Sequence, residues 1–458
     1  MSHAATIVSM QNNYFYTGQT KDYEFRRDAL IKLKQAVIKN ESAIFDALKA
    51  DLNKSSFEAY ETEVGIVLDE ISYALKHLKK WMKPQKVHTP IDQFPSKSFI
   101  LPEPYGVCLI MSPWNYPFQL TLEPLVGAIA AGNTAILKPS DYSHNTSQVI
   151  ANIIHSIYPV EYVEVVLGGR QSNQDLLQQH FDYIFFTGGV TVGKLVMESA
   201  SKFVTPITLE LGGKSPCIVD QTADIKRAAK RIAWGKFLNA GQTCVAPDHL
   251  YLHTDVRTEF LQEFQAAITE FYTDDPLSCA YLPRIINQKH YDRLRGLMEG
   301  EEILIGGKSD DSSLTIEPTV IDHAEYNHPI MQEEIFGPLL PILEFRNLDD
   351  VVIEIKKHPK PLALYLFSQN NGTVKRILRD VAYGGGCIND VVVQVATSQM
   401  PFGGVGSSGM GQYHGKASFR TFSHYKSILH KSNKIDIPIR YLPGTPDKFK
   451  KLRKFIGK

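Results

Sequence analysis

From Tyr105 to Val219, short apolar runs alternate with helical or polar stretches, and this alternation constrains the fold more than any other feature of the chain. Gly106–Met111, Thr134–Leu137, Tyr162–Val166, Tyr183–Phe186 and Ile207–Leu209 read as strands buried on both faces, since apolar residues fill them with little period-2 alternation. Buried strands separated by helix-length segments build a doubly wound α/β layer, a parallel sheet with helices on both sides. A second such set opens at Ser215–Val219. Its first helix carries Ile225, Ala228, Ala229, Ile232 and Ala233 on one face. The pair Gly212-Gly213 between the two sets marks a domain boundary. Upstream, Phe25, Ala29, Leu33 and Ala36, then Val64, Leu68, Ile71, Leu75 and Leu78, recur at helical spacing. Residues 84–104 are proline-rich and mixed in polarity, which suits an extended arm.

Composition narrows the functional class. The chain has 458 residues, long enough for about three domains. Lys+Arg and Asp+Glu both number 49, so no global field recruits nucleic acid or anionic lipid. The five cysteines, at 108, 217, 244, 279 and 387, are scattered, odd in number and free of C-x-x-C pairs. Reduced thiols in the cytoplasm are expected, with neither a disulfide framework nor a metal site. No secretory signal or membrane span is expected: the first twenty residues are polar, and the apolar stretch Pro124–Leu137 is short and broken by Asn133 and Thr134. The basic tail, residues 446–458, is expected to fray in solvent.

Two local patterns carry chemistry. Thr187-Gly-Gly-Val-Thr-Val-Gly193 follows an apolar run and precedes a helical one. Strand, glycine turn and helix start together present backbone N–H groups to a phosphate. A literal G-x-G-x-x-G at Gly404–Gly409 lacks the preceding strand and reads as a glycine-rich loop packed near the active site. Cys244 ends the turn Asn239-Ala-Gly-Gln-Thr just after the helix of the second set. A lone thiol exposed by a turn is a candidate nucleophile.

Taken with Ser112-Pro-Trp-Asn-Tyr-Pro117, Glu210-Leu-Gly-Gly-Lys214, Glu333-Glu-Ile-Phe-Gly-Pro338 and Pro401-Phe-Gly-Gly-Val-Gly-Ser-Ser-Gly-Met-Gly-Gln-Tyr-His-Gly415, these patterns resemble the aldehyde dehydrogenase superfamily, in its class 3, fatty-aldehyde-type branch. The resemblance runs from about residue 20 to about 430. It implies NAD(P)-dependent oxidation of medium/long-chain aliphatic or aromatic aldehydes to carboxylic acids. Cys244 would form the thiohemiacetal and then the acyl-thioester, the Asn115 amide would hold the oxyanion, and Glu210 would activate water for hydrolysis. Thr187, Gly188 and Gly193 would form the pyrophosphate turn. Lys138 and Asp141 would bind the adenosine ribose, and Glu334 and Phe336 the nicotinamide ribose and ring. A carboxylate at Asp141 favours NAD over a 2′-phosphate, while its short side chain leaves NADP open.

The partition expected is a cofactor domain from residues 1–83 and 105–211, a catalytic domain from 212–415, and an oligomerisation arm from 84–104 and 416–445. By resemblance the arm pairs subunits into a homodimer. Two other readings compete: a thiol esterase or acyltransferase using Cys244 and Glu210 without redox, and a binding protein that kept the fold. The phosphate turn, Lys138 and Glu334 weigh against the first. Retention of Cys244 and Glu210 weighs against the second. His414 invites a Cys–His pairing, and is read instead as structural or pocket-lining.

Overall fold

The computed structural model describes residues 2–456. Two α/β layers are built one after the other along the chain. The first is a six-stranded sheet in the order Gly409–Met410, Ile207–Leu211, Tyr183–Gly188, Val107–Met111, Thr134–Lys138, Val163–Val165. All neighbours are parallel except the short Gly409–Met410 strand. The strand Val107–Met111 is buried at every position, as a sheet covered on both faces requires. From it the chain winds outward through Thr134–Lys138 and Val163–Val165, then returns to build Tyr183–Gly188 on the other side. The winding therefore reverses between Val107–Met111 and Tyr183–Gly188, and a crevice opens beyond their carboxyl ends.

The second sheet has seven strands, with Leu339–Phe345, His249–His253, Pro216–Val219 and Ala363–Phe367 at its centre. Only Gly212 to Ser215 separate the last parallel strand of the first sheet from Pro216–Val219 of the second. The carboxyl edge of one sheet thus abuts the amino edge of the other.

Helices fill the remaining layers. Helices Tyr23–Lys39, Gly65–Trp81 and Pro117–Ala131 pack one face of the first sheet, where Leu30, Leu33, Leu78, Leu122 and Ile129 join one continuous core. The helix His3–Tyr16 covers the other face, and its Gln11 Nε2 donates to the Ala135 carbonyl at 2.9 Å. No helix of the described residues is long and apolar enough to cross a membrane.

The strands agree closely with the sequence reading, and three features depart from it. Gly409–Met410 pairs with Leu209 and Glu210, so this part of residues 212–415 completes the first sheet and not the second. The helix Lys416–Thr421, placed by sequence in the arm, packs against Pro117–Ala131, where a Cβ on Gly127 would stand 2.7 Å from the Ser418 side chain. The tail is a helix, Pro446–Phe455, and not a frayed strand of chain. Thr445 caps it, proline occupies its first turn and Asp447 meets the N-terminal dipole, so local signals suffice. The arm segments Gln85–Val87, Ser96–Pro104 and Ser423–Lys431 form a three-stranded antiparallel sheet in which the last strand is an edge.

Asn133 ties these layers together. Fully buried, it accepts from Gly106 N at 3.0 Å and donates to the Phe422 carbonyl at 2.9 Å. Asn133→Ala should cost about 2–3 kcal/mol by stranding those groups, and so lower the melting temperature by several degrees. An unchanged melting curve would show that the joint is not needed.

Candidate active site

Three strand ends meet at the junction of the sheets. Val107–Met111 leads into Ser112-Pro-Trp-Asn115, Tyr183–Gly188 ends at Thr187 and Gly188, and Ile207–Leu211 carries Glu210 as its penultimate residue. Each sits on the carboxyl edge of its strand. Cys244 comes from the opposite side, in the loop that enters the amino end of His249–His253. That loop begins with Asn239, Ala240 and Gly241 at φ of 52°, 52° and 71°. Left-handed backbone at two non-glycine residues is costly and persists only where surrounding contacts enforce it. Here they do: Asn239 N donates to Glu58 Oε1 at 2.8 Å, and Asn239 Nδ2 donates to the Asn115 carbonyl at 2.8 Å. Asn115 Nδ2 returns the bond, donating to the Gln242 carbonyl at 2.9 Å. The two loops are thereby stitched to each other.

Cys244 is partly buried and lines two cavities at once. One, of about 180 Å³, is walled by Ile66, Leu120, Trp234, Val392 and Phe402. The other is a cleft of about 760 Å³ containing Asn115, Thr187, Gly188, Glu210, Glu334 and Phe336. An apolar chamber and a polar glycine-edged cleft therefore meet at one sulfur.

The electrostatics suit two-stage chemistry. Both Glu210 oxygens are buried without a hydrogen-bond partner. Burial holds its carboxyl well above the usual carboxylate range. Burial also pushes the Cys244 thiol up to about 12, and Glu334 and Glu210 add to the shift. Glu334 is itself raised to about 8, by burial first and then by Asp248. Two carboxylates and a thiol thus share a buried region, and burial makes each resist ionisation.

A dinucleotide fits the cleft by the donors on its rim. Gly189 caps the helix Val190–Ser201 without a side-chain bond, leaving the first N–H groups free, and a Cβ there would meet open space. Thr187 Oγ1 is buried and unpartnered in the same cleft. Gly193 serves differently from the sequence expectation: a Cβ would stand 2.6 Å from a Leu211 methyl, so it lets the helix lie close on the strand and does not line the cleft. Lys138 is buried at the end of the next strand over, paired in register with Met111. Burial lowers its ammonium to about 8, with Asp141 opposing. Asp141 is exposed, against the Gly169 turn that comes after Val163–Val165. Both therefore sit at the far end of the same carboxyl edge, where an adenosine would extend. Glu333 is exposed and paired with Arg293 Nη1 at 2.8 Å, a surface charge beside Glu334.

Sequence reasoning finds Phe336 but misses Trp114 and His290, which complete an aromatic wall with it. Trp114 meets Phe336 edge-on at 5.4 Å and His290 at 5.2 Å, and all three line the cleft. Tyr116 and Thr243, sequence neighbours of Asn115 and Cys244, share a 2.5 Å hydroxyl contact and line the apolar chamber. His414 is buried 3.3 Å from Glu123 and stacked on Phe402. It borders neither cavity that contains Cys244.

Comparison with known proteins agrees with this geometry. The profile of the Aldehyde dehydrogenase family matches residues 6–428. A 4,4'-diaponeurosporen-aldehyde dehydrogenase of Staphylococcus aureus is 48% identical over 445 residues, covering 97% of each chain. The substrate-bound structure of Staphylococcus aureus AldH superposes with a TM-score of 0.98 at 47% identity, covering 100% of both chains. A betaine aldehyde dehydrogenase from Staphylococcus aureus, solved with NAD+, superposes with a TM-score of 0.85 at 26% identity, covering 95% of this chain and 88% of its own. With two sheets, a glycine-edged cleft and a cysteine at their junction, the chain belongs to the aldehyde dehydrogenase family, in its class 3 branch, and its reaction is the NAD(P)-dependent oxidation of aldehydes.

Proposed function

We propose that the substrates are medium/long-chain aliphatic or aromatic aldehydes and that Cys244, Asn115 and Glu210 carry the reaction. The observation that supports this most is the position of Cys244 between an apolar chamber and the glycine-edged cleft. An aldehyde entering through the chamber brings its carbonyl to the sulfur while its tail displaces water from Ile66, Leu120 and Phe402. Sulfur attack builds a tetrahedral adduct whose oxyanion takes hydrogen bonds from the Asn115 amide and the Cys244 N–H. Asn115 Nδ2 carries two N–H groups: one is held by the Gln242 carbonyl, which leaves the other for the oxyanion. NAD(P), when bound, supplies the hydride acceptor that converts this adduct to the thioester and a cationic ring that favours the thiolate. Thr187, Gly188 and the open helix start at Gly189 hold its pyrophosphate. Lys138 and Asp141 hold the adenosine ribose, and Glu334 and Phe336 hold the nicotinamide end.

Glu210 then accepts a proton from water as that water attacks the thioester. A carboxylate without hydrogen-bond partners has an unshielded lone pair, and burial raises its basicity toward that of the task. With its pKa raised, Glu210 is largely protonated at low pH and becomes a base as pH rises. Turnover limited by hydrolysis should therefore rise with pH as Glu210 loses its proton, at a pH above the usual carboxylate range. Glu210→Gln should release one equivalent of NADH in a burst and then turn over at least ~10²-fold more slowly, without that pH dependence. Normal steady-state turnover in the variant would remove Glu210 from the base role.

Cys244→Ser should abolish dehydrogenase turnover while NAD binding, read by quenching of tryptophan fluorescence, persists. Turnover equal to that of the unaltered protein would exclude Cys244 as nucleophile.

The working form is a homodimer in the cytoplasm. The edge strand Ser423–Lys431 leaves one side of its backbone free for a second copy, and five free cysteines suit a reducing compartment. Sedimentation should give about twice the chain mass of 51.5 kDa, and a proline at Ile428 should shift it toward the monomer. A monomer at micromolar concentration would contradict the dimer.

A further inference from the structure

A buried ion pair lies behind Asn115 and touches neither cavity. Lys54 and Glu63 are both completely buried, with Nζ and Oε1 2.5 Å apart. Lys54 precedes and Glu63 lies within an unusual segment, in which the helix Ser56–Ala59 runs into the π-helical turn Tyr60–Val64 before the helix Gly65–Trp81. A π turn inserts an extra residue and rotates the next stretch of helix, and it recurs at functional sites. The turn is crowded: a Cβ at Gly65 would stand 2.8 Å from the Tyr60 carbonyl.

The grip of the pair is specific. Lys54 Nζ donates to the Asn115 carbonyl at 3.1 Å and lies 4.0 Å over the Tyr116 ring. Glu63 Oε2 accepts from Phe118 N at 2.8 Å and Gln119 N at 3.3 Å, the open N–H groups at the start of the helix Pro117–Ala131. That helix has no cap of its own from Tyr116. The pair therefore holds the peptide on both sides of the Asn115–Tyr116 turn. From the same segment, Glu58 accepts from Asn239 N in the nucleophile loop. One short stretch of chain thus references both the Asn115 loop and the Cys244 loop to a single rigid support.

Stability alone does not account for such a pair. Desolvating two charges offsets most of their attraction, and well-packed apolar replacements are often neutral. Orientation does account for it, because a donor displaced by about 1 Å can lose ~10²-fold in rate. We infer that Lys54 and Glu63 are positioning residues that fix the Asn115 amide at the oxyanion site, acting on the reaction only through Asn115. This rests on the proposed reading of Asn115 as oxyanion donor.

The test is a cycle of variants measured by kcat/KM for an aliphatic aldehyde at saturating NAD. The paired variant Lys54→Met/Glu63→Gln removes both charges together, so no lone charge remains buried. It should lose ~10–10²-fold, mainly in kcat, with NAD affinity unchanged. Asn115→Ala should lose ~10²–10³-fold. The triple variant should be no slower than Asn115→Ala alone. Losses that multiply, or a paired variant as fast as the unaltered enzyme, would overturn the inference while leaving Asn115 in its role. An Asn115→Ala enzyme of normal rate would instead overturn the reading of the site, and the inference with it. Should the paired variant not fold, Lys54→Met alone, which leaves Glu63 its two backbone donors, enters the same cycle, with a loss of ~10-fold expected.

Discussion

The reciprocal bonding between the Asn115 and Cys244 loops is the constraint on which the site depends. Asn115 donates its amide to the Gln242 carbonyl, and its own carbonyl receives the Asn239 amide. These bonds cross from the carboxyl edge of one sheet to the amino edge of another. They hold three successive residues, Asn239 to Gly241, in left-handed backbone. Neither loop has this shape by local preference. Each is shaped by the other, so the site exists only when both layers are folded and joined.

Burial supplies the second constraint. Cys244, Glu210 and Glu334 lie within one region that holds each of them toward its neutral form. A site poised in this way gains charge most readily when a partner brings the opposite sign, which in the proposed reaction would tie activation of Cys244 to occupation of the cleft. The same desolvation would let short, oriented hydrogen bonds act strongly on an oxyanion. The apolar chamber contributes by excluding water from the aldehyde side of the sulfur.

Much of this is legible in the sequence because the relevant signals are local. Val107–Met111 and Tyr183–Gly188 announce themselves as strands buried on both faces, and the glycine turn after the second announces a phosphate site. Glu210 and Cys244 stand beside glycines at the ends of regular elements. The features that escape a sequence reading are set by contacts distant in the chain. Gly193 is a glycine because of Leu211, and the Gly409–Met410 strand exists because Leu209 and Glu210 present a free edge. Lys54 and Glu63 show no periodicity, and the groups they grip lie 55 to 61 residues away. The tail helix is a different case, since its polarity suggests a frayed end while its cap and first-turn proline specify a helix.

The central claim is a covalent bond between the Cys244 sulfur and the substrate carbon. Mass spectrometry of peptides from Glu210→Gln protein, quenched after mixing with NAD and a medium-chain aldehyde, tests it most directly. The peptide containing Cys244 should gain the mass of the acyl group, with the other four cysteines unmodified. An acyl group on a different residue, or NADH formed with no adduct on any peptide, would contradict it.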